Sequence, residues 1–324
     1  MKYVDMHCDT LMEAYFGDKE TLYEIPSAMV DLKRMKNGDT LIQFFAIFPP
    51  DLGAWEWFKR EPLRDEKYVE ALESIFNRTM KEHSDIIRQV KTAKDLEENK
   101  KAGVMSALLT MEDGKLVNGE MEKLEDLYEK GYREIGLTWN FYNCFGAPNS
   151  LDPKIMNDGL TAFGKEAVER MNELGMIVDV SHLSDGGFYD VAEISKKPFI
   201  ASHSDCRSVC NHPRNLTDDM IRILAEKGGV AGLNFNPPFL NATPDNEDSR
   251  IEDMVKHVLH LMKVGGEDCV GIGTDFDGVE GNLEIDNPTK MHLLFEALKK
   301  EGVTESQIEK MAYKNVERVI KDVL

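Results

Sequence analysis

The 324-residue sequence predicts an α/β fold, a closed (β/α)8 (TIM) barrel in which residues 1–324 form one catalytic domain. Three observations predict it. Eight short runs rich in β-branched or aromatic residues recur along the chain: Tyr3–Met6, Leu41–Phe48, Val104–Thr110, Glu134–Thr138, Met176–Val180, Phe199–Ala201, Gly229–Leu233 and Cys269–Gly273. Segments with apolar residues at helical spacing lie between most of them, and strands alternating with helices imply parallel βαβ units. The fingerprints of competing folds are missing: no G-x-G-x-x-G follows the first run, and neither a Walker A sequence nor a G-x-S-x-G elbow occurs.

The helices follow from local chemistry. Residues 161–174 bring Phe163, Ala167, Met171 and Leu174 to one face, with Leu160 just ahead of them. Thr217 followed by Asp218 and Asp219 reads as an N-cap with acids in the first turn, opening a helix that Gly228 and Gly229 stop. Ile251–Val264, Thr289–Lys300 and Thr304–Leu324 supply the closing helices.

Composition narrows the partners. With 59 acidic against 39 basic residues the net charge is −20, and every Lys/Arg group is interleaved with acids. A phosphate backbone or an anionic membrane needs a basic face, so neither nucleic acid nor membrane is an expected partner. No run approaches the roughly 20 apolar residues of a membrane span, and the first residues lack the apolar core of a leader. The expected location is the cytoplasm. Five scattered cysteines form no disulfide framework, and the Cys206/Cys210 pair has no second pair to complete a zinc site. Both read as free thiols.

Barrel enzymes work at the C-terminal ends of their strands. The predicted strands end in His7-Cys8-Asp9, Glu112-Asp113-Gly114, Trp139-Asn140, Ser181-His182, Ser202-His203, Asn234, and Asp275-Phe276-Asp277-Gly278. In a strand, residues i and i+2 share a face, so His7 and Asp9 can reach one ion while Cys8 turns away. Alone, an HxD tripeptide carries little weight. Its weight comes from repetition, since three of eight histidines, with Asp9, Glu112 and Asp275, directly follow predicted strands. His83, His212, His257, His260 and His292 fall in helices or loops and read as non-ligands. Imidazole with carboxylate and no thiolate suits zinc or a similar ion. Glu112 can bridge two ions, with His7 and Asp9 on one and His182 and His203 on the other; a hydroxide between them would be the nucleophile and Asp275 its proton acceptor. Asp277, before Gly278, reads as a turn residue.

These motifs, together with Ser202-His203-Ser204 and the downstream Arg214-Asn215, resemble the membrane (renal-type) dipeptidase family of zinc peptidases, within the metal-dependent hydrolase (amidohydrolase-like) superfamily. The resemblance covers essentially the whole chain. It implies two Zn2+ held by His7, Asp9, bridging Glu112, His182 and His203, and Asp275 as proton shuttle. It implies that Arg214 binds the C-terminal carboxylate of a dipeptide, including dipeptides ending in a D-residue, and it suggests a homodimer. Arg207 is the rival anchor, and a surface salt bridge to Asp218 or Asp219 is the plainer reading of Arg214. The sequence departs from the pattern at Leu137-Thr138-Trp139-Asn140, where the renal-type enzymes carry a carbonyl-polarising histidine. Trp139 offers one uncharged N–H, which shifts polarisation to the metal or to Asn140. Another amidohydrolase-type barrel, acting on an N-acyl amino acid, lactone or cyclic amide, is the alternative; those enzymes mostly open with HxH, and this chain opens with HxD. A non-catalytic scaffold would be expected to lose a ligand, and none is lost.

Overall fold

The computed structural model describes residues 1–57, 61–243 and 245–324. Eight parallel strands follow one another around a barrel: β1 (Tyr3–Asp5), β2 (Thr40–Ile47), β3 (Met105–Met111), β4 (Tyr132–Gly136), β5 (Ile177–Asp179), β6 (Ile200–Ala201), β7 (Val230–Leu233) and β8 (Val270–Ile272). The ring closes just beyond β1 and β8, where the Met6 N–H donates to the Ile272 carbonyl and the Asp9 N–H to that of Phe276, both at 2.9 Å. All eight expected strands are present, with ends displaced by a residue or two.

The sequence reading did not include Ile87–Gln89, which pairs with the first half of β3 through Ile87↔Met105. Only Ile87 of that segment is buried, so it lacks the apolar run that marks a strand. A second small sheet outside the barrel joins Asp248–Ser249 to Asn282–Leu283. The predicted N-cap at Thr217 is in place, and Thr161 caps a second helix in the same way. The Thr161 hydroxyl accepts the Gly164 N–H at the start of the helix Ala162–Leu174. The Thr217 hydroxyl accepts the Met220 N–H ahead of Asp218–Glu226, and Gly228 beyond that helix adopts φ +74°, where a side chain would be strained. The expected Thr304–Leu324 helix is interrupted by a π-turn at Lys310–Lys314.

Strand parity then places the site. Val4, Ile42, Leu108, Ile177, Ile200 and Val230 form an inner cluster at the lower end of the barrel, and Val316, Val319, Ile320 and Val323 of the last helix close it from below. Phe45, Leu109, Ile135, Val178, Ala231 and Ile272 belong to the outer cluster under the surrounding helices. Each Val, Leu, Ile or Phe side chain among them contributes about 1.5–3 kcal/mol by leaving water. Residues two and four beyond an inner position point the same way. Leu108 therefore leads to Thr110 and Glu112, Ile177 to Asp179 and Ser181, Ile200 to Ser202, and Val230 to Asn234. The inner wall turns from apolar to polar as it rises.

Candidate metal centre

At the top of β1 the route differs from the expectation. The strand ends at Asp5, and Asp9 (φ −99°, ψ 21°) precedes the helix Thr10–Phe16 as its N-cap residue. The side chains still converge: His7 Nε2 lies 3.4 Å from Asp9 Oδ2. Cys8 turns away and its Sγ donates to the Phe44 carbonyl.

Glu112 stands at the centre. Its Oε2 is 3.7 Å from His7 Nε2, while its Oε1 is 3.0 Å from His182 Nε2 and 3.7 Å from His203 Nε2. His182 and His203 bring their Nε2 atoms within 3.0 Å of each other. Single ligand atoms of His7, Glu112 and His203 all lie within 4.8 Å of one another, as do those of His7, Asp9 and Asp275. Asp275 thus stands as close to His7 and Asp9 as a ligand would, with Oδ1 3.9 Å from His7 Nε2. His182 and Asp275 adopt left-handed backbone conformations (φ +65° and +62°), a cost that rigid surroundings must hold.

The residues fit a divalent metal. His7 Nε2 and Asp9 Oδ1 are buried and have no hydrogen-bond partner. Buried polar atoms without partners are costly, and a cation satisfies both. The charges agree. Burial holds the Glu112 carboxyl well above its ordinary range, with His7 pulling it down and Asp9 and Asp275 pushing it up. Against the effect of burial, Glu112 and Asp9 lift His7 well above the usual imidazole value. Burial, then nearby cations, drives His182 and His203 well below theirs, which favours the neutral imidazole. Burial raises Asp275 to about 6.

A cavity of about 760 Å3 opens above the cluster, lined by Asp9, Glu112, His182 and Asp275 on its floor and by Phe16, Phe48, Trp139, Asn140 and Phe239 on its walls. Trp139 packs against Phe48, with ring centroids 4.7 Å apart. Asn140 lines the cavity but turns its side-chain oxygen to His182 Nδ1, 3.0 Å away. Arg214 is buried one layer back, 5.5 Å from the Phe239 ring. It donates to Ser204 Oγ and to the His203 carbonyl, its Nε is unpartnered, and no carboxylate forms an ion pair with it among the described residues. The plainer reading of a surface salt bridge falls, because Asp218 pairs with His260 and Asp219 with Arg222. Arg207 is no rival either: its guanidinium forks onto both oxygens of Asp185, at 2.7 and 2.8 Å.

Two features went unread in the sequence. Asn234 donates its Nδ2 to Asp275 Oδ2 (2.9 Å) and to the His203 carbonyl (3.2 Å), fixing the carboxylate that faces His7. Its only signal was a polar residue at a strand end. Asp277, read as a turn residue, also accepts hydrogen bonds from the Thr10 hydroxyl and the Met29 and Val30 N–H groups, tying two loops to the rim. His257 lies fully buried between the Cys206 N–H and the Leu240 carbonyl, and His260 meets Asp218. All five cysteines are free.

Fold and site together define a barrel hydrolase of the metal-dependent kind. The family description for membrane dipeptidase, peptidase family M19, matches residues 1–324, and the chain belongs to that family of metallopeptidases. An uncharacterised dipeptidase of Schizosaccharomyces pombe is 31% identical, with 99% of this chain and 80% of the yeast protein covered. An uncharacterised protein from the pqqA 5′ region of Klebsiella pneumoniae is 33% identical, with coverage of 73% and 89%. Among solved structures, a metallopeptidase of Rhodobacter sphaeroides bound to a phosphinate mimic of L-Ala-D-Ala superposes with a TM-score of 0.90, at 26% identity over 100% of this chain and 99% of that one. The M19 metallopeptidase dipeptidase AC gives a TM-score of 0.88, with the same identity and coverage. No helix among the described residues is long and apolar enough to cross a membrane.

Proposed function

We propose that the chain hydrolyses dipeptides, including those with a C-terminal D-residue, using two zinc ions held by His7, Asp9, Glu112, His182 and His203. The observation that carries this reading is Glu112, whose two oxygens face different ligand pairs, His7 on one side and His182 with His203 on the other. When bound, two such ions acidify a water between them and so supply hydroxide at neutral pH.

The chain's own groups do the rest. Asp275, raised by burial to about 6 and steadied by Asn234, takes the proton of the attacking water on Oδ1 and returns it to the leaving amine. Arg214 receives the C-terminal carboxylate and so limits the length of peptide accepted, a role supported by its burial without a carboxylate partner. Trp139 and Phe48 offer an apolar wall to a substrate side chain. The dipeptide mimic bound to the Rhodobacter relative supports the substrate class. Five free thiols fit a cytoplasmic protein, and assembly as a homodimer rests on family analogy.

The test is a panel of dipeptides, Xaa-D-Ala pairs among them, with N-acyl amino acids and lactones as controls, alongside metal analysis at saturation. Dipeptides should be cleaved and two ions bound. Cleavage of acylated amino acids but not free dipeptides would overturn the substrate class. Arg214→Gln should raise KM for free dipeptides by about 30-fold or more, the equivalent of about 2 kcal/mol for truncating a buried charged contact, and should leave C-terminally amidated dipeptides nearly unchanged.

A further inference from the structure

We infer that Ser202 and Asn140 are positioning residues that decide which ring nitrogen of His203 and of His182 is offered as a ligand, one from inside the barrel and one from a rim loop. The inference rests on the two-ion reading above.

Proton accounting carries it. Ser202 Oγ lies 2.6 Å from Asp179 Oδ2, 2.7 Å from His203 Nδ1 and 3.2 Å from Ser181 Oγ. Asp179 Oδ1 already accepts the Ser181 and Ser202 backbone N–H groups, at 3.0 and 2.8 Å. A carboxylate only accepts, so the single hydroxyl proton of Ser202 goes to Asp179. Ser202 Oγ must then accept from His203 Nδ1–H. The His203 proton is held on Nδ1, and Nε2 turns its lone pair toward Glu112 and His182. Asp179, Ser202 and His203 are all buried, which shields these bonds from bulk solvent.

His182 reaches the same state by another route. Its Nδ1 lies 3.0 Å from the side-chain oxygen of Asn140, which also only accepts. Asn149 Nδ2, 3.5 Å from the same atom, agrees with an oxygen there. Asn149 also grips the His182 carbonyl, with its backbone N–H at 2.7 Å and its Nδ2 at 3.2 Å. One loop therefore holds both ring and carbonyl of a residue in the left-handed conformation. That loop begins beside Trp139, on the cavity wall. Asn140 is thereby reassigned: its oxygen acts on an imidazole, where the sequence suggested that its amide acts on a substrate carbonyl.

Partners on the far nitrogen of a metal-bound histidine are worth about 10–100-fold in affinity. Asn140→Leu and Ser202→Ala should each weaken one of the two Zn2+ dissociation constants by about that factor, measured by competition with a chromophoric chelator. Asn140→Asp keeps the acceptor and should hold Zn2+ as the wild type does. Co2+ loaded in place of Zn2+ should give an altered visible spectrum in Asn140→Leu and a native one in Asn140→Asp. Asn140 is exposed, so this pair carries the test even if Ser202→Ala fails to fold. Two ions bound by Asn140→Leu as tightly as by the wild type would overturn the inference. So would an Asn140→Asp protein as weak as Asn140→Leu. A wild type that saturates with one ion overturns the two-ion reading itself, and this inference with it.

Discussion

The two ends of the barrel are equally buried and chemically opposite. At the lower end Val4, Val230 and Ile320 are 0% exposed; at the upper end His203 is 0% and His7 2% exposed. The same removal from water lowers the free energy below and raises it above. The lower end has apolar contacts sealed by the last helix. The upper end has unpartnered atoms on His7, Asp9 and Arg214 and left-handed backbone at His182 and Asp275. One end of the scaffold therefore supplies the stability that lets the other hold a costly arrangement of charge.

Substitutions at the two ends should separate these contributions. The largest effect is expected from Asp275→Asn: a fall in kcat of roughly 10²–10⁴-fold, the range for loss of a general acid–base group. Melting temperature and metal content should stay near the wild-type values. Equal activity in that variant would remove the proposed role. At the lower end, Ile320→Ala should cost about 2–5 kcal/mol in denaturant unfolding while each folded molecule keeps its kcat.

The third prediction concerns pH. Burial lowers His257 to about 4 from an ordinary value of 6.5. As pH falls through 6.5 the unfolded chain takes up a proton that the folded chain refuses. Stability that is complete above pH 6.5 should therefore decline toward pH 4, by about 3 kcal/mol from this group. His257→Gln should be less stable at neutral pH and show a flatter decline, read from unfolding curves between pH 4 and 7.5. The smallest effect belongs to Gly278→Ala. A Cβ there would lie 2.3 Å from Asp9 Oδ2 and 2.6 Å from Asp275 Oδ1, which points the strain at the site. A cost of about 1–3 kcal/mol, the range for overpacking, should appear mainly as lost activity and weaker metal binding rather than as unfolding.

Much of this contrast was legible in the residues. Barrel strands announce themselves as apolar runs, and whatever follows each run must lie on the rim, so His7, Glu112, His182, His203 and Asp275 could be gathered without coordinates. Pairing was not legible. Arg207 and Arg214 are equivalent in sequence, and only the lock of Arg207 onto Asp185 separates them. Asn140 and Asn234 look like ordinary polar residues after a strand, because hydrogen-bond direction leaves no trace in spacing. Ile87–Gln89 was missed because a strand with one buried side chain has no hydrophobic period.

The closure of the ring between β1 and β8 has a consequence for how the protein is made. The Asp275 N–H donates to the His7 carbonyl, joining the segment that follows β1 to the segment that follows β8. A nascent chain still lacking its final strand holds His7 and Asp9 with no Asp275 opposite them. Synthesis itself thus withholds Asp275 from the cluster until β8 has been made.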